Sequence, residues 1–165
     1  MDLFVTLGGH HTVLPSLETA LRVLFAVLAG TVVGLNRELR NKPAGLRTHI
    51  LIALASALFT LIAFEIHMQF ASGQGMKTAD PVRIIDAVTA GVAFLAAGAI
   101  IRGRGGVHGL TTGANMWLAG ALGLACGAGY YFIAFIGSVF ALIVLIVLGK
   151  LEAWMETKHD KDVSS

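Results

Sequence analysis

The feature that most constrains this chain is a succession of five apolar runs, each close to the length that crosses a lipid bilayer. A transmembrane helix needs about 20 consecutive apolar residues, and a single soluble domain of this size could not bury five such runs. The runs extend over residues 17–35, 46–68, 84–101, 110–127 and 130–149. The sequence therefore predicts an all-α, polytopic membrane protein with five transmembrane helices.

The composition excludes an ordinary soluble domain. Charged residues make up 13% of the 165 residues, against about 25% in soluble proteins, and the mean hydropathy is +0.78. The net charge of +2 arises from few charged residues, so it does not indicate binding to nucleic acid. The single cysteine, Cys126, lies within an apolar run and excludes an intrachain disulfide.

The distribution of lysine and arginine predicts how the chain is oriented in the membrane, because cytoplasmic loops carry an excess of both. With the N-terminus outside, nine bases fall on the cytoplasmic side, namely Arg37, Arg40, Lys42, Arg47, Arg102, Arg104, Lys150, Lys158 and Lys161. Three fall outside, namely Arg22, Lys77 and Arg83. Residues 1–16 are then a periplasmic tail, 17–149 the five-helix transmembrane domain and 150–165 a cytoplasmic tail.

Polar side chains at helical spacing form stripes on the second and fourth predicted spans. Such stripes either line a polar path through the bundle or supply hydrogen bonds between helices, and the second use is the commoner one. The residues that a polar path would use are Thr60, Asp86, Thr112 and Asn115.

Small residues predict close packing between the helices. The third predicted span carries Ala90, Ala93 and Ala97 on one face, and small residues let helix backbones approach one another. We therefore expect the third helix to lie at the centre of the bundle. The pairs Gly30 with Gly34 and Gly109 with Gly113 have the GxxxG spacing, which predicts close contacts without indicating the partner helix.

Acidic residues near the outer ends of the spans are candidates for a divalent cation site. Asp86 and Glu65 would supply the carboxylate oxygens that Mg²⁺ prefers. Arg83 offers Asp86 an ion pair instead, and Glu65 can extend towards the membrane surface. Glu18 and Arg22 have the spacing and order of a favourable pair on one helix.

The sequence contains none of the usual short catalytic motifs: it lacks HExxH, CxxC and GxxxxGK[ST]. The glycine-rich stretch GRGG at 103–106 follows no predicted strand, so we expect a flexible cytoplasmic turn and not a phosphate-binding loop. We therefore expect neither an enzyme nor a resident cofactor, with Mg²⁺ left open by the acidic residues.

Two separated motifs, one around RELRNKPAGLRTH at 37–49 and one around GVAFLAAG at 91–98 and GLTT at 109–112, resemble the MgtC/SapB family of bacterial inner-membrane proteins. The first is GLNRELRNKPAGLRTHILIALASALFTL at 34–61, with its G-x-x-R-E and K-x-A-G-L-R-T-H. The second lies within 83–131 and includes GVAFLAAG and GLTT. Both motifs occur in the order seen in the family, and together they cover nearly the whole apolar region. The matching residues that we interpret as a partner- or lipid-binding hairpin are Arg37, Glu38, Lys42, Arg47, Thr48 and His49.

The resemblance implies a role in adaptation to low magnesium or acid stress, an association with virulence, and modulation of membrane energetics through a partner such as ATP synthase. The basic hairpin would dock acidic groups of a protein or lipid headgroups, with Glu38 orienting one arginine. The alternative is a cation transporter or channel for Mg²⁺ that uses the polar path. Several members continue into a soluble cytoplasmic domain, whereas this chain resembles a membrane-domain-only member. Small residues on several faces also favour a homodimer in the bilayer.

Overall fold

The computed structural model describes residues 12–71, 80, 82–103 and 106–163. These residues form five α-helices: α1 (Ser16–Leu39), α2 (Leu46–Ala71), α3 (Arg83–Gly98), α4 (Leu110–Gly127) and α5 (Tyr131–Val163). The prediction of an all-α fold is confirmed, because the described part contains only two strands and each has three residues. Lys77, Arg104 and most of the predicted N-terminal tail lie outside the described residues.

Glycines let α1 and α2 pack closely as an antiparallel pair. A Cβ atom added to Gly30 would lie 2.8 Å from the carbonyl oxygen of His49, and one added to Gly34 would lie 2.9 Å from the Cα of Leu46. Later residues of α1 therefore contact earlier residues of α2, so the two helices run antiparallel. The GxxxG pair of α1 thus has α2 as its partner, at a distance that no larger residue would permit.

Helix α4 occupies the centre of the bundle and contacts all four other helices. It runs antiparallel to α1, because Arg22 of α1 bonds to Gly127 near the end of α4 whereas Arg37 bonds to Thr112 near its start. We call the end of the bundle that holds Arg37, the α1–α2 turn and the start of α4 the Arg37 end. The opposite end, which holds Arg22 and the end of α4, is the Arg22 end.

Helix α3 lies at the edge of the bundle and not at its centre, so the expectation drawn from its small residues is wrong. Val88 and Val92 are buried, while the face with Ala90 and Ala93 is exposed. The physical reason is that α4 already supplies the small residues at this contact. A Cβ atom on Gly120 would lie 2.8 Å from Val92, so the valines of α3 fill spaces that glycines of α4 leave open.

A short antiparallel hairpin, β1 (Ile101–Gly103) and β2 (Gly106–His108), connects α3 to α4. The flexible turn expected for the glycine-rich stretch centres on Arg104 and Gly105, which lie outside the described residues. Gly109 follows β2 with a φ of 88°, a left-handed conformation that favours glycine. A Cβ atom there would lie 2.1 Å from the carbonyl oxygen of Ala99. The second GxxxG pair therefore packs against the end of α3.

Three helices are long and apolar enough to cross a membrane by length and composition, over Ser16–Leu39, Leu46–Gln69 and Tyr131–Leu151. Helix α3 has 16 residues and is about 24 Å long, shorter than the roughly 30 Å hydrocarbon core of a bilayer. The five-span topology therefore stays a prediction. Helix α5 continues to Val163, so most of the predicted C-terminal tail is helical.

Candidate functional site at the Arg37 end

The turn between α1 and α2 is fixed by the way in which α1 ends. The backbone N–H groups of Asn41 and Lys42 donate to the carbonyl oxygens of Glu38, at 3.0 Å, and Arg37, at 3.1 Å. This is the paired pattern of a Schellman motif. Asn41 has a φ of 50°, a left-handed conformation that asparagine tolerates better than most residues. Pro43 follows and cannot continue the helix.

Glu38 caps the start of α2. Its Oε2 accepts a hydrogen bond of 2.8 Å from the backbone N–H of Leu46, where a helix has unsatisfied donors and partial positive charge. A Cβ atom on Gly45 would lie 1.8 Å from the same oxygen, so the glycine leaves the space that the carboxylate needs. No ion pair between Glu38 and an arginine is found among the described residues, so the expectation that Glu38 orients an arginine stays a prediction.

Arg37 is buried, with 5% of its surface exposed, and it ties three segments together. Its Nη2 donates to the hydroxyl oxygen of Thr112 at 2.5 Å and to the carbonyl oxygen of Pro43 at 3.2 Å. Its Nε has no hydrogen-bond partner among the described residues, and no described carboxylate forms an ion pair with it. The guanidinium therefore joins α1, the turn and the start of α4 through neutral oxygens alone.

His49 is completely buried against α1. Its Nδ1 donates to the carbonyl oxygen of Gly45 at 2.8 Å, since a carbonyl can only accept. A Cβ atom on Gly34 would lie 3.0 Å from the Cβ of His49, so α1 covers this side chain. Both His49 and Arg37, which the sequence placed in the docking hairpin, are therefore interior residues, and docking by either of them stays a prediction.

The exposed bases of the α1–α2 hairpin are Arg40, Lys42 and Arg47, while Thr48 is half-buried. Arg40 was counted among the cytoplasmic bases but was not predicted as a site residue. Its guanidinium lies against α5, because a Cβ atom on Gly149 would be 2.1 Å from Nη1 of Arg40. Of the residues predicted to dock a partner or a lipid, Lys42 and Arg47 are thus exposed bases, and Arg40 adds a third.

A cavity of about 610 Å³ opens at the Arg37 end between α1, the start of α4 and α5. Its polar wall includes four basic side chains and two hydroxyls, from Arg37, Arg40, Lys42, His108, Thr111 and Thr112. No carboxylate is found among the described residues that line it. The opposite wall is apolar and comes from α5, with Val144, Leu145 and Leu148. The sequence did not predict this cavity, because its lining residues come from three segments that lie far apart along the chain.

The residues of the predicted polar path lie in separate surroundings. The Thr60 hydroxyl donates to the carbonyl oxygen of Ser56 at 2.7 Å, within its own helix. The hydroxyl of Thr112 is engaged by the buried arginine. Asn115 is buried, with its Nδ2 lacking a partner among the described residues, and Asp86 is exposed near the start of α3. A path that joins all four stays a prediction.

The metal site predicted at Asp86 and Glu65 stays a prediction. Within the part of the chain that the structure describes, no three His, Cys, Asp or Glu side chains gather so that they could hold a metal ion. The Glu65 carboxylate instead accepts hydrogen bonds from the backbone N–H groups of Val13, at 2.6 Å, and Leu14, at 2.9 Å. The ion pair that Arg83 offered Asp86 is not formed between these described residues.

A second buried arginine, Arg22, links α1 to the end of α4 at the Arg22 end. Nη1 of Arg22 donates to the carbonyl oxygen of Gly127 at 2.8 Å, and Nη2 bonds to the Glu18 carboxylate at 2.5 Å. The predicted pair of Glu18 and Arg22 is thus confirmed. The guanidinium also lies 5.7 Å from the ring centroid of Phe64, within reach of a cation–π interaction.

Comparison with known proteins matches residues 23–154 to the family described as the MgtC family. SrpB of Synechococcus elongatus is 36% identical over 157 residues, which cover 88% of this chain and 84% of SrpB. YhiD of Escherichia coli K12 is 38% identical over 144 residues, covering 86% of this chain and 66% of YhiD. SapB of Bacillus subtilis is 43% identical over 127 residues, covering 76% of this chain and 54% of SapB. The chain thus spans less than two thirds of the length of YhiD and SapB, and it matches no solved structure.

Proposed function

The chain belongs to the MgtC family of membrane proteins, and from this premise we propose that it modulates partners or energetics of the bacterial inner membrane. In this proposal the five helices cross the membrane and the Arg37 end faces the cytoplasm. The exposed bases of that end dock acidic groups of a membrane partner such as ATP synthase. The docking serves adaptation to low magnesium or acid stress.

The observation that carries the proposal is the difference in free positive charge between the two ends. Arg40, Lys42 and Arg47 are exposed at the Arg37 end, and no ion pair involves them within the described residues. At the other end Arg22 is paired with Glu18 and Arg83 is exposed, so fewer exposed bases are found there among the described residues. Unpaired bases at a membrane surface attract anionic groups, and an excess of bases is typical of cytoplasmic loops.

The experiment that tests this proposal removes the exposed bases without touching the interior. The triple variant Arg40→Gln, Lys42→Gln and Arg47→Gln is expected to grow at low Mg²⁺ or low pH no better than a strain without the protein. Arg83→Gln, an exposed base on α3 away from the Arg37 end, is the control and should grow normally. Normal growth of the triple variant, with its membrane abundance unchanged by immunoblot, would overturn the proposal.

A second candidate function is Mg²⁺ transport, which is favoured by the name of YhiD, since that name suggests a magnesium transporter. Mg²⁺ would then pass Asp86, Thr60, Asn115 and Thr112. The bond between Thr112 and Arg37 opposes this route, because a buried cation beside a path raises the energy of a divalent cation on it. The test is Mg²⁺ flux into proteoliposomes with Asp86→Asn beside the unchanged protein. Flux that the substitution abolishes would replace docking with transport.

A further inference from the structure

We propose that the cavity at the Arg37 end binds the phosphodiester headgroup of an anionic phospholipid. The inference rests on the proposed function in one respect, namely that this end lies at the membrane surface. It adds a defined binding site and a chemical class of ligand. The site consists of the buried guanidinium, the start of α4 and the two exposed bases at the mouth of the cavity.

Helix α4 begins at this cavity without a side-chain cap. Its N-cap residue is Gly109, which has no side chain to accept hydrogen bonds, and the N–H of Gly113 is the one that donates to the Gly109 carbonyl oxygen, at 2.8 Å. The backbone N–H groups of Leu110, Thr111 and Thr112 have no partner within the helix, and all three residues line the cavity. Such a helix start favours an oxyanion through both its donors and its dipole.

Arg37 supplies an observation that is independent of the helix start. Its side chain is more than nine-tenths buried, it lines the cavity, and its Nε has no partner in the described chain. A guanidinium carries five N–H donors, and both of its hydrogen bonds here come from Nη2. A buried cation with unused donors is costly, and a phosphate oxygen that reached the guanidinium from the cavity would form a charge-assisted hydrogen bond with it.

Thr112 connects these two features. Its hydroxyl oxygen accepts the hydrogen bond from Arg37, so the hydroxyl hydrogen remains available to donate to an anion in the cavity. Thr111 is exposed and adds a second hydroxyl on the same turn. The cavity therefore offers backbone, hydroxyl and guanidinium donors to one oxyanion, and a phosphodiester has two non-bridging oxygens that share one negative charge and can accept from them.

The apolar wall selects a lipid over a soluble phosphate. Val144 and Leu148 of α5 are 51% and 50% exposed, and Leu110 of α4 is 60% exposed. A headgroup in the cavity would leave its acyl chains against these side chains, each of which is at least half exposed. Arg40 and Lys42 at the mouth of the cavity match the negative charge of the headgroup, and the same bases repel Mg²⁺.

The experiment compares lipid binding by native mass spectrometry of the full chain in detergent, using phosphatidylglycerol and phosphatidylcholine with the same acyl chains. We expect the unchanged protein to prefer phosphatidylglycerol, and Arg40→Gln and Lys42→Gln each to lower this preference about fivefold, the effect of one base near an anionic surface. Arg47→Gln is the matched control, because it removes one exposed base of the same hairpin that does not line the cavity.

An equal loss of preference in Arg47→Gln would overturn the inference, because the effect would then be general surface charge. Displacement of phosphatidylglycerol by an equal concentration of inorganic phosphate would overturn the assignment to a lipid. The lipid-binding experiment and the growth test can give opposite results, so failure of this inference can be distinguished from failure of the proposed function. Variants that lose the lipid preference but grow normally would contradict the docking function alone, and variants that keep the preference but fail to grow would contradict this inference alone.

Discussion

Helix α1 carries two buried arginines, one towards each end of the bundle, and they have different partners. Arg22 is paired with the Glu18 carboxylate and bonds the Gly127 carbonyl oxygen, which lies at the end of α4. Arg37 is held by a hydroxyl and a carbonyl, and no described carboxylate balances its charge. Each guanidinium leaves its Nε without a partner in the described chain, but a carboxylate neutralises the charge of Arg22 and none neutralises that of Arg37. Both arginines are buried, so it is the difference in their partners that assigns Arg22 a structural role and Arg37 a role in binding.

The largest effect on stability is expected for Arg22→Gln. The substitution removes the ion pair with Glu18 and leaves the buried Gly127 carbonyl oxygen without its donor, which together cost about 3 kcal/mol of unfolding free energy. The measurement is reversible unfolding by sodium dodecyl sulfate in mixed micelles. The preference for phosphatidylglycerol should stay the same. A variant that kept its stability but lost this preference would reverse the roles given to the two arginines.

A smaller effect is expected for Gly45→Ala at the Arg37 end. The new methyl group displaces the Glu38 carboxylate from the N–H of Leu46, and the loss of such a cap costs about 1 kcal/mol. Gly91→Ala is the matched control, because no atom lies within 4 Å of a Cβ atom at that exposed helical position, and alanine there should be neutral or stabilising. Thermal unfolding of both variants measures the difference, and equal midpoints would contradict the capping role of Glu38.

The smallest effect is expected for Glu18→Gln. The Glu18 side chain is 41% exposed, and ion pairs with an exposed partner contribute about 0.5 kcal/mol. The same detergent titration should therefore show Glu18→Gln to be much milder than Arg22→Gln. If the two variants lost equal stability, the ion pair would account for the whole contribution of Arg22, and its bond to Gly127 would contribute nothing.

The helices could be predicted from the sequence because apolar length and turn residues are local signals. The second run was predicted from residue 46 and the fifth from residue 130, and the helices begin at Leu46 and Tyr131. The packing face of α3 could not be predicted in the same way. Small residues indicate that a close approach is possible, but Gly120 on α4 already provides it for Val92.

The candidate site was predicted in pieces. Arg37 was assigned to the hairpin and Thr112 to the polar path, and their hydrogen bond joins residues 75 positions apart, a distance over which one sequence gives no contact information. Glu38 was recognised in its motif, but its cap on α2 depends on the space that Gly45 leaves. Arg40 and His108 were not predicted as site residues, because their common feature is a cavity that only the folded chain has.

The hydrogen bond between Arg37 and Thr112 also has a consequence for how the protein is made. The α1–α2 hairpin can close as soon as it leaves the ribosome, since its turn, its cap and its glycine contacts are all internal to it. Thr112 is synthesised 75 residues after Arg37, which corresponds to roughly 4–15 s of translation. During that interval the nascent hairpin carries an arginine whose partner on α4 does not yet exist, so insertion of the later helices completes the site that the first two began.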